Sequence, residues 1–402
     1  MPDFAELGDT AKILSRLLFR LDFKGIQRVA KVGTLFDPKN ITENFTDMRA
    51  LFFNQDAQVT PQTVSPLPAA PRNIERSFTH QGRRFDLDTW QAERNISALV
   101  VLKNGTIAHE TYLNGTTAQD RRISWSMSKS ILSATFGVMV DRGMMPDFDT
   151  KIGDLVPLLQ GSAYNTATIR NVLNMASGVA FNEDYLDYHS DINRMGRILA
   201  IGGSMDAFAA GLREQQWPAG TYNHYVSIDT HVIGMVMRAV SGRGTNALVS
   251  ELIFQPMGLE QTPYFLTDSL GEPFVLGGLN MTTRDYARFG LMFAQQGQLN
   301  GQQIVSADWV KASTAQSAPP PDPQNATTPE GAHGYGYQWW RPHNAAEGEF
   351  FAIGIYGQYI YVNSQRQVVI AVNAGDTRFR EGDGAVSQMN IEVFRQIAAS
   401  LE

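Results

Sequence analysis

Strand signals sit at the two ends of this chain and helical signals fill its middle. Ser97–Tyr112 (SALVVLKNGTIAHETY) reads as an apolar strand, an Asn104-Gly105 turn and an alternating strand, which together make a hairpin. Strands return only near the C-terminus, at Gly334–Trp340, Phe350–Val362 and Gln367–Asn373, and a helical stretch at Ala385–Leu401 closes the chain. Between them lie a long helical pattern over Ser126–Met144 and several helical segments within 150–260. That order suits one sheet built from both ends of the chain with a helical unit inserted. The expected class is α/β (α+β), with residues 76–148 and 275–402 in an α/β sheet domain and 149–274 in a mainly helical one. The proline-rich stretch Asn54–Arg72 reads as an extended linker that ends an N-terminal extension, residues 1–75.

Composition removes several kinds of chemistry. The 402 residues include no cysteine, which excludes disulfide frameworks, thiolate metal sites and cysteine nucleophiles. The net charge of −7 argues against a chain-wide nucleic-acid footprint. No apolar run is long enough for an integral membrane segment. The start, Met-Pro-Asp-Phe-Ala-Glu, is acidic where a secretory signal is basic, so the chain reads as cytoplasmic or as a mature form whose signal was removed. Lys12–Lys31 is basic and amphipathic, and reads as a docked helix rather than a membrane-surface one.

The search for a catalytic motif ends on Ser126-Met127-Ser128-Lys129. The sequence holds no Gly-x-Ser-x-Gly, phosphate-binding Gly-x-x-x-x-Gly-Lys or His-Glu-x-x-His pattern. His224 and His231 are seven apart and could share a helix face, but a metal site needs more convergent ligands. In Ser-x-x-Lys, residues i and i+3 at the first turn of a helix share a face, so Lys129 can reach the Ser126 hydroxyl. The helix start adds unpaired N–H groups that can bind an oxyanion. Burial can lower the lysine pKa enough for it to take a proton. Alone the pattern is weak, and a solvated lysine on a buried helix explains it as well. The context strengthens it: this single Ser-x-x-Lys opens a strong helix, and Tyr225 follows a Pro/Gly loop before another helix, where it could relay protons.

With these motifs the chain resembles the penicillin-recognising serine hydrolases, a group that includes class C β-lactamases, D-alanyl-D-alanine carboxypeptidases and related esterases. It is most similar to the 6-aminohexanoate-dimer hydrolase (nylon-oligomer hydrolase) branch. Tyr225-Val226-Ser227 sits where the family carries Tyr-x-Asn or Tyr-x-Ser, and Ala352-Ile353-Gly354-Ile355 sits where β-lactamases carry Lys-Thr-Gly. Leu173–Gly178, Asn182–Tyr185, Thr282–Asp285 and Gly334–Trp340 also match, so the likeness covers roughly 75–400.

The resemblance implies a β-lactamase/transpeptidase-like fold, an antiparallel sheet flanked by helices. It implies Ser126 as a nucleophile forming an acyl-enzyme, Lys129 and Tyr225 as its acid–base partners, and an oxyanion hole from the backbone N–H groups of Ser126 and Ile355. Tyr185, Ser227, Gly354, Tyr356, Gln358 and Trp339 are the implied substrate-binding residues, with Trp340 a further pocket candidate; core packing is the alternative for both tryptophans. Ala352 replaces the lysine that helps bind the carboxylate of β-lactams, which points to a less anionic linear amide or ester. The expected partner is such a small molecule, with no metal or organic cofactor required. Amide cleavage of 6-aminohexanoate oligomers is the leading reading, followed by a carboxylesterase, a β-lactamase or peptidase, and a silent binding module. A homodimer is left open.

Overall fold

The computed structural model of the chain describes residues 23–60, 63–324 and 331–401. The Asn104-Gly105 hairpin joins β1 (Ile96–Lys103) to β2 (Thr106–Tyr112). Both turn residues have positive φ, +50° and +75°, as a two-residue turn matched to strand twist requires. The remaining strands of this sheet come from the other end of the chain: β3 (Gly334–Gly336), β4 (Trp339–Arg341), β5 (Glu349–Gly354), β6 (Gln358–Asn363) and β7 (Val368–Ala374). Their order is β3-β4-β5-β6-β7-β1-β2, every neighbour antiparallel.

Two of the expected strands divide. Gly334–Trp340 and Phe350–Val362 each fold back on themselves, at Gln338 (φ +71°) and at Tyr356-Gly357 (φ +60° and +87°). Neither break carries an Asn-Gly or Asp-Gly signal. The second becomes part of the candidate site.

Side-chain alternation sorts the sheet into two packed faces. Val100, Leu102, Ile360, Val362, Val369 and Ala371 lie with the helix Thr283–Ala294. Leu99, Val101, Tyr359, Tyr361, Ile370 and Val372 lie with the helix Ala385–Ser400. Both faces are covered, which is why β1 reads as an unbroken apolar run. Helix and sheet approach closely at Gly290, where an added Cβ would stand 2.6 Å from Val369 Cγ1 and 2.8 Å from Ile360 Cγ2.

A second sheet of four strands links distant segments in the order Asn54–Asp56, Tyr264–Leu266, Leu279–Thr282, Arg121–Ile123. It delivers the chain to Ser126, where the helix α1 (Met127–Asp141) begins. Helix α1 is buried on nearly all sides, and its serines satisfy their hydroxyls on carbonyls: Ser128 to Val275 (2.6 Å), Ser130 to Gln338 (2.7 Å), Ser133 to Tyr337 (2.6 Å). Against it packs the helix α2 (Ile228–Ser241).

Described parts of the N-terminal segment pack on the rest of the chain. Ile41, Phe45, Met48 and Leu51 are core residues. Asn54–Asp56 is a sheet strand, and the Ala70 N–H donates to Ile107 O (2.9 Å). Burying these apolar groups offsets the cost of ordering an extended chain. The amphipathic pattern continues as the helix Phe23–Val32, while residues 12–22 lie outside the described residues. Among the described residues no helix is long and apolar enough to cross a membrane.

Candidate active site

Ser126 caps the N-terminus of α1 and follows Trp125, whose φ is +41°. Lys129 stands one helical turn later and is almost wholly buried. Its Nζ lies 2.8 Å from Ser126 Oγ, 2.9 Å from the Leu276 carbonyl oxygen and 3.3 Å from Ser227 Oγ. Ser227 in turn donates its hydroxyl hydrogen to the Glu183 carboxylate. A neutral amine has two hydrogens and one lone pair. As an ammonium Lys129 donates to all three oxygens; once neutral, it can keep Leu276 O and Ser227 Oγ as acceptors for its two hydrogens and turn its lone pair to the Ser126 hydroxyl. Burial pushes the Lys129 pKa down to about 7, against the opposing charges of Glu183 and Asp229. The arrangement can therefore take a proton from Ser126 near neutral pH.

The Tyr225 ring faces this group, with Lys129 Nζ 5.2 Å from its centroid. On its other side Tyr225 stacks on Trp340, centroids 5.5 Å apart. Ile355 begins the turn between β5 and β6, and Gly354 before it has no room for a side chain: a Cβ would meet the Ser124 carbonyl and stand 2.9 Å from Trp125 Cβ. That contact draws the β5 end against the turn that carries Ser126. Ser126, Glu183, Tyr185, Tyr225, Trp340, Gly354 and Ile355 all line one cavity of about 1440 Å³. Its wall carries both signs of charge, with Asp184, Asp191, Glu214 and Asp383 beside Arg194, Arg213 and Arg380.

Several expected contacts lie elsewhere. Trp339 does not line the cavity: it is fully buried against Phe289 and Phe293, and strand alternation gives the cavity wall to Trp340. Gln358 is buried behind the turn, where its Nε2 donates to Ile355 O (3.2 Å), Tyr356 O (3.1 Å) and Ala374 O (2.7 Å). It braces the segment that carries Ile355. Tyr356 does not line the cavity itself but packs on Phe36 and on Phe379, which does. Ser227 is buried between Lys129 and Glu183. Tyr185 lines the cavity, but its hydroxyl donates to Glu183 (2.7 Å). His224 and His231 do not converge, as each has its own carboxylate, Asp322 and Asp206.

Sequence reading missed Glu183 and Asp229. Glu183 accepts from the Ser227 N–H (3.1 Å), the Ser227 hydroxyl and the Tyr185 hydroxyl. Asp229, two residues past Ser227, is fully buried, and its Oδ1 accepts from Tyr164 Oη (2.7 Å) and Ser177 Oγ (2.8 Å). Burial raises its pKa to about 7. An acidic residue two positions past Ser227 on an otherwise apolar helix face was the available signal for Asp229. Glu183 lies inside the matching Asn182–Tyr185 segment, where the resemblance implies a role for Tyr185 alone, and its distance from Lys129 in sequence hid their link.

Known proteins resemble this chain in sequence and in fold. A protein-family model described as Beta-lactamase matches residues 74–385. A 6-aminohexanoate-dimer hydrolase from Paenarthrobacter ureafaciens is 28% identical over 343 residues, spanning 83% of this chain and 86% of that protein. A solved structure from Bacillus anthracis, provisionally named a 6-aminohexanoate-dimer hydrolase, superposes with a TM-score of 0.79 at 22% identity, covering 91% of this chain and 96% of that one. EstCE1, a hydrolase with promiscuous acyltransferase activity, superposes with a TM-score of 0.61 at 13% identity, covering 76% of this chain and 96% of its own.

Proposed function

Because this chain belongs to the beta-lactamase family of serine hydrolases, we propose that it cleaves linear amides of the 6-aminohexanoate-oligomer type through a Ser126 acyl-enzyme. The observation that carries the reading is the buried Lys129 amine, which lies 2.8 Å from Ser126 Oγ and has Leu276 O and Ser227 Oγ to accept two hydrogens when it is neutral. Ser126 Oγ attacks the substrate carbonyl as its proton passes to Lys129. The backbone N–H groups of Ser126 and Ile355 bind the oxyanion. Lys129 and Tyr225 together return the proton to the leaving amine, and water then attacks the ester, with the same pair as base.

Support for a linear substrate comes from the cavity volume, about 1440 Å³, which has room for an extended chain; Ala352 is buried in the core and does not line that cavity. The relative from Paenarthrobacter ureafaciens supports the amide class. A carboxylesterase is the second reading, and one contact favours it: the Tyr185 hydroxyl hydrogen is already given to Glu183, so contact with a leaving amine requires it to break away.

The test is hydrolysis of the linear 6-aminohexanoate dimer and of a p-nitrophenyl ester, with wild type and Ser126→Ala. Turnover of both, lost in the variant, supports the amide hydrolase. Ester turnover alone moves the assignment to the esterase. Turnover of neither, with no labelling of Ser126 by a phosphonate, removes the hydrolase mechanism.

A further inference from the structure

Two residues with left-handed backbone flank the two N–H groups assigned to the oxyanion. Trp125 (φ +41°) directly precedes Ser126, and Tyr356 (φ +60°) directly follows Ile355. Bulky residues adopt this conformation at a free-energy cost, and it persists only where surroundings over-determine it. The two rings lie in one aromatic cluster, centroids 6.5 Å apart. The other members on one side come from the N-terminal segment. Phe36 stacks on Tyr356, centroids 4.7 Å apart and planes 12° apart, and lies 5.9 Å from Trp125. Phe45 meets both rings edge-on at 5.6 Å.

The segment that brings them is anchored. Ile41 and Phe45 are core residues, Asn44 Nδ2 donates to Thr34 O (2.8 Å), and Ile41 packs on Gly375, beside Asp376, whose N–H donates to Tyr356 O (3.0 Å). Phe36 itself is 42% exposed, so solvent exclusion alone does not account for a near-parallel stack. This segment lies before residue 74, where the family match begins.

We infer that residues 33–46 are a positioning element for the oxyanion hole: Phe36 and Phe45 hold the Trp125 and Tyr356 rings, and so the backbone that aims the N–H groups of Ser126 and Ile355. The inference rests on the hydrolase reading for those two donors. Neither phenylalanine touches substrate; both act through the two strained residues.

Phe36→Ala and Phe36→Tyr in the full chain test it, since Phe36 is exposed while Phe45 is part of the core. The readouts are kcat and KM on a p-nitrophenyl ester, the melting temperature, and deuterium uptake by the peptide spanning residues 353–358. Phe36→Ala is expected to lower kcat about tenfold, short of the ~10²–10³ that removal of an oxyanion donor costs. KM and melting temperature should stay near wild type, uptake at 353–358 should rise, and Phe36→Tyr, which keeps the stacked ring, should show wild-type kcat and uptake. A rise in KM alone, a kcat loss that tracks a lower melting temperature, or unchanged kcat overturns the inference. If the wild type has no esterase activity, the hydrolase reading fails by itself, and unchanged uptake in Phe36→Ala then overturns the positioning role separately.

Discussion

Glu183 reaches Lys129 through a single hydroxyl: Ser227 Oγ lies 3.3 Å from the amine nitrogen and donates to the Glu183 carboxylate. Burial lowers the lysine pKa while the charges of Glu183 and Asp229 raise it, so a value of about 7 is the net of opposed effects. Lys129 must be neutral to accept the Ser126 proton. We therefore expect kcat/KM to fall below about pH 7 as the amine protonates. Glu183→Gln, which removes the opposing charge, should move that acid limb to lower pH. A pH–rate series on both proteins checks this, and an upward movement would contradict the electrostatic role of Glu183. Lys129→Ala should cost ~10²–10⁴ in rate, the usual value of a general base.

Asp229 should make stability depend on pH in a direction opposite to most carboxylates. Its folded pKa is raised to about 7 from 3.8, so between those values the folded chain holds a proton that the unfolded chain has lost. Its contribution to stability is present at low pH and is lost as pH rises through that window. Asp229→Asn keeps an acceptor for Tyr164 and Ser177 and cannot ionise. Urea unfolding of both proteins at pH 5 and pH 8 should show the variant gaining on wild type at the higher pH. Asp229→Ala, which leaves two buried hydroxyls without their acceptor, should lose ~1–3 kcal/mol at either pH.

The adjacent tryptophans should separate stability from reactivity. Trp339→Ala empties a fully buried site and should cost ~3–5 kcal/mol, while the molecules that remain folded keep their rate of phosphonate labelling at Ser126. Trp340→Ala removes the ring stacked on Tyr225 and should slow labelling. Equal effects on labelling would remove the distinction between core and cavity wall.

Gly290→Ala tests the seam between the helix Thr283–Ala294 and the sheet. In an open helix the change would gain ~1 kcal/mol of propensity. Here the new methyl group meets Val369 and Ile360 at 2.6 and 2.8 Å, and overpacking of this kind costs ~1–3 kcal/mol. A lower thermal midpoint is expected, and a raised one would show that the seam relaxes freely.

What could be read from the residues was local. Ser126 and Lys129 share one helical turn, so their spacing alone brings them together. Asn104-Gly105 announces its hairpin because few other pairs accept two positive φ values. The Tyr356-Gly357 turn was not legible, because a tyrosine there is held by rings from another part of the chain. The Ser227–Glu183 contact joins positions 44 apart. Trp339 and Trp340 could not be assigned to core or cavity until the strand parity of β4 was known. Composition marked 54–72 as a linker because prolines suit extended chain as well as disorder, and only the partners on Ile107 and Leu266 distinguish the two.

The pairing of β1 with β7 also governs when the protein can come into being. Ser97 and Asn373, joined across that seam, are 276 positions apart. During synthesis β1 emerges early, an apolar strand with one edge unsatisfied until nearly the whole chain has left the ribosome. Contacts this distant in sequence slow folding and leave such an edge open to other chains. A chain ending before β7 would carry Ser126 and Lys129 intact and still lack the sheet that supports Ile355. Nascent or truncated forms are thus expected to be inert and to depend on holding chaperones, and activity should appear only after the last strand is released.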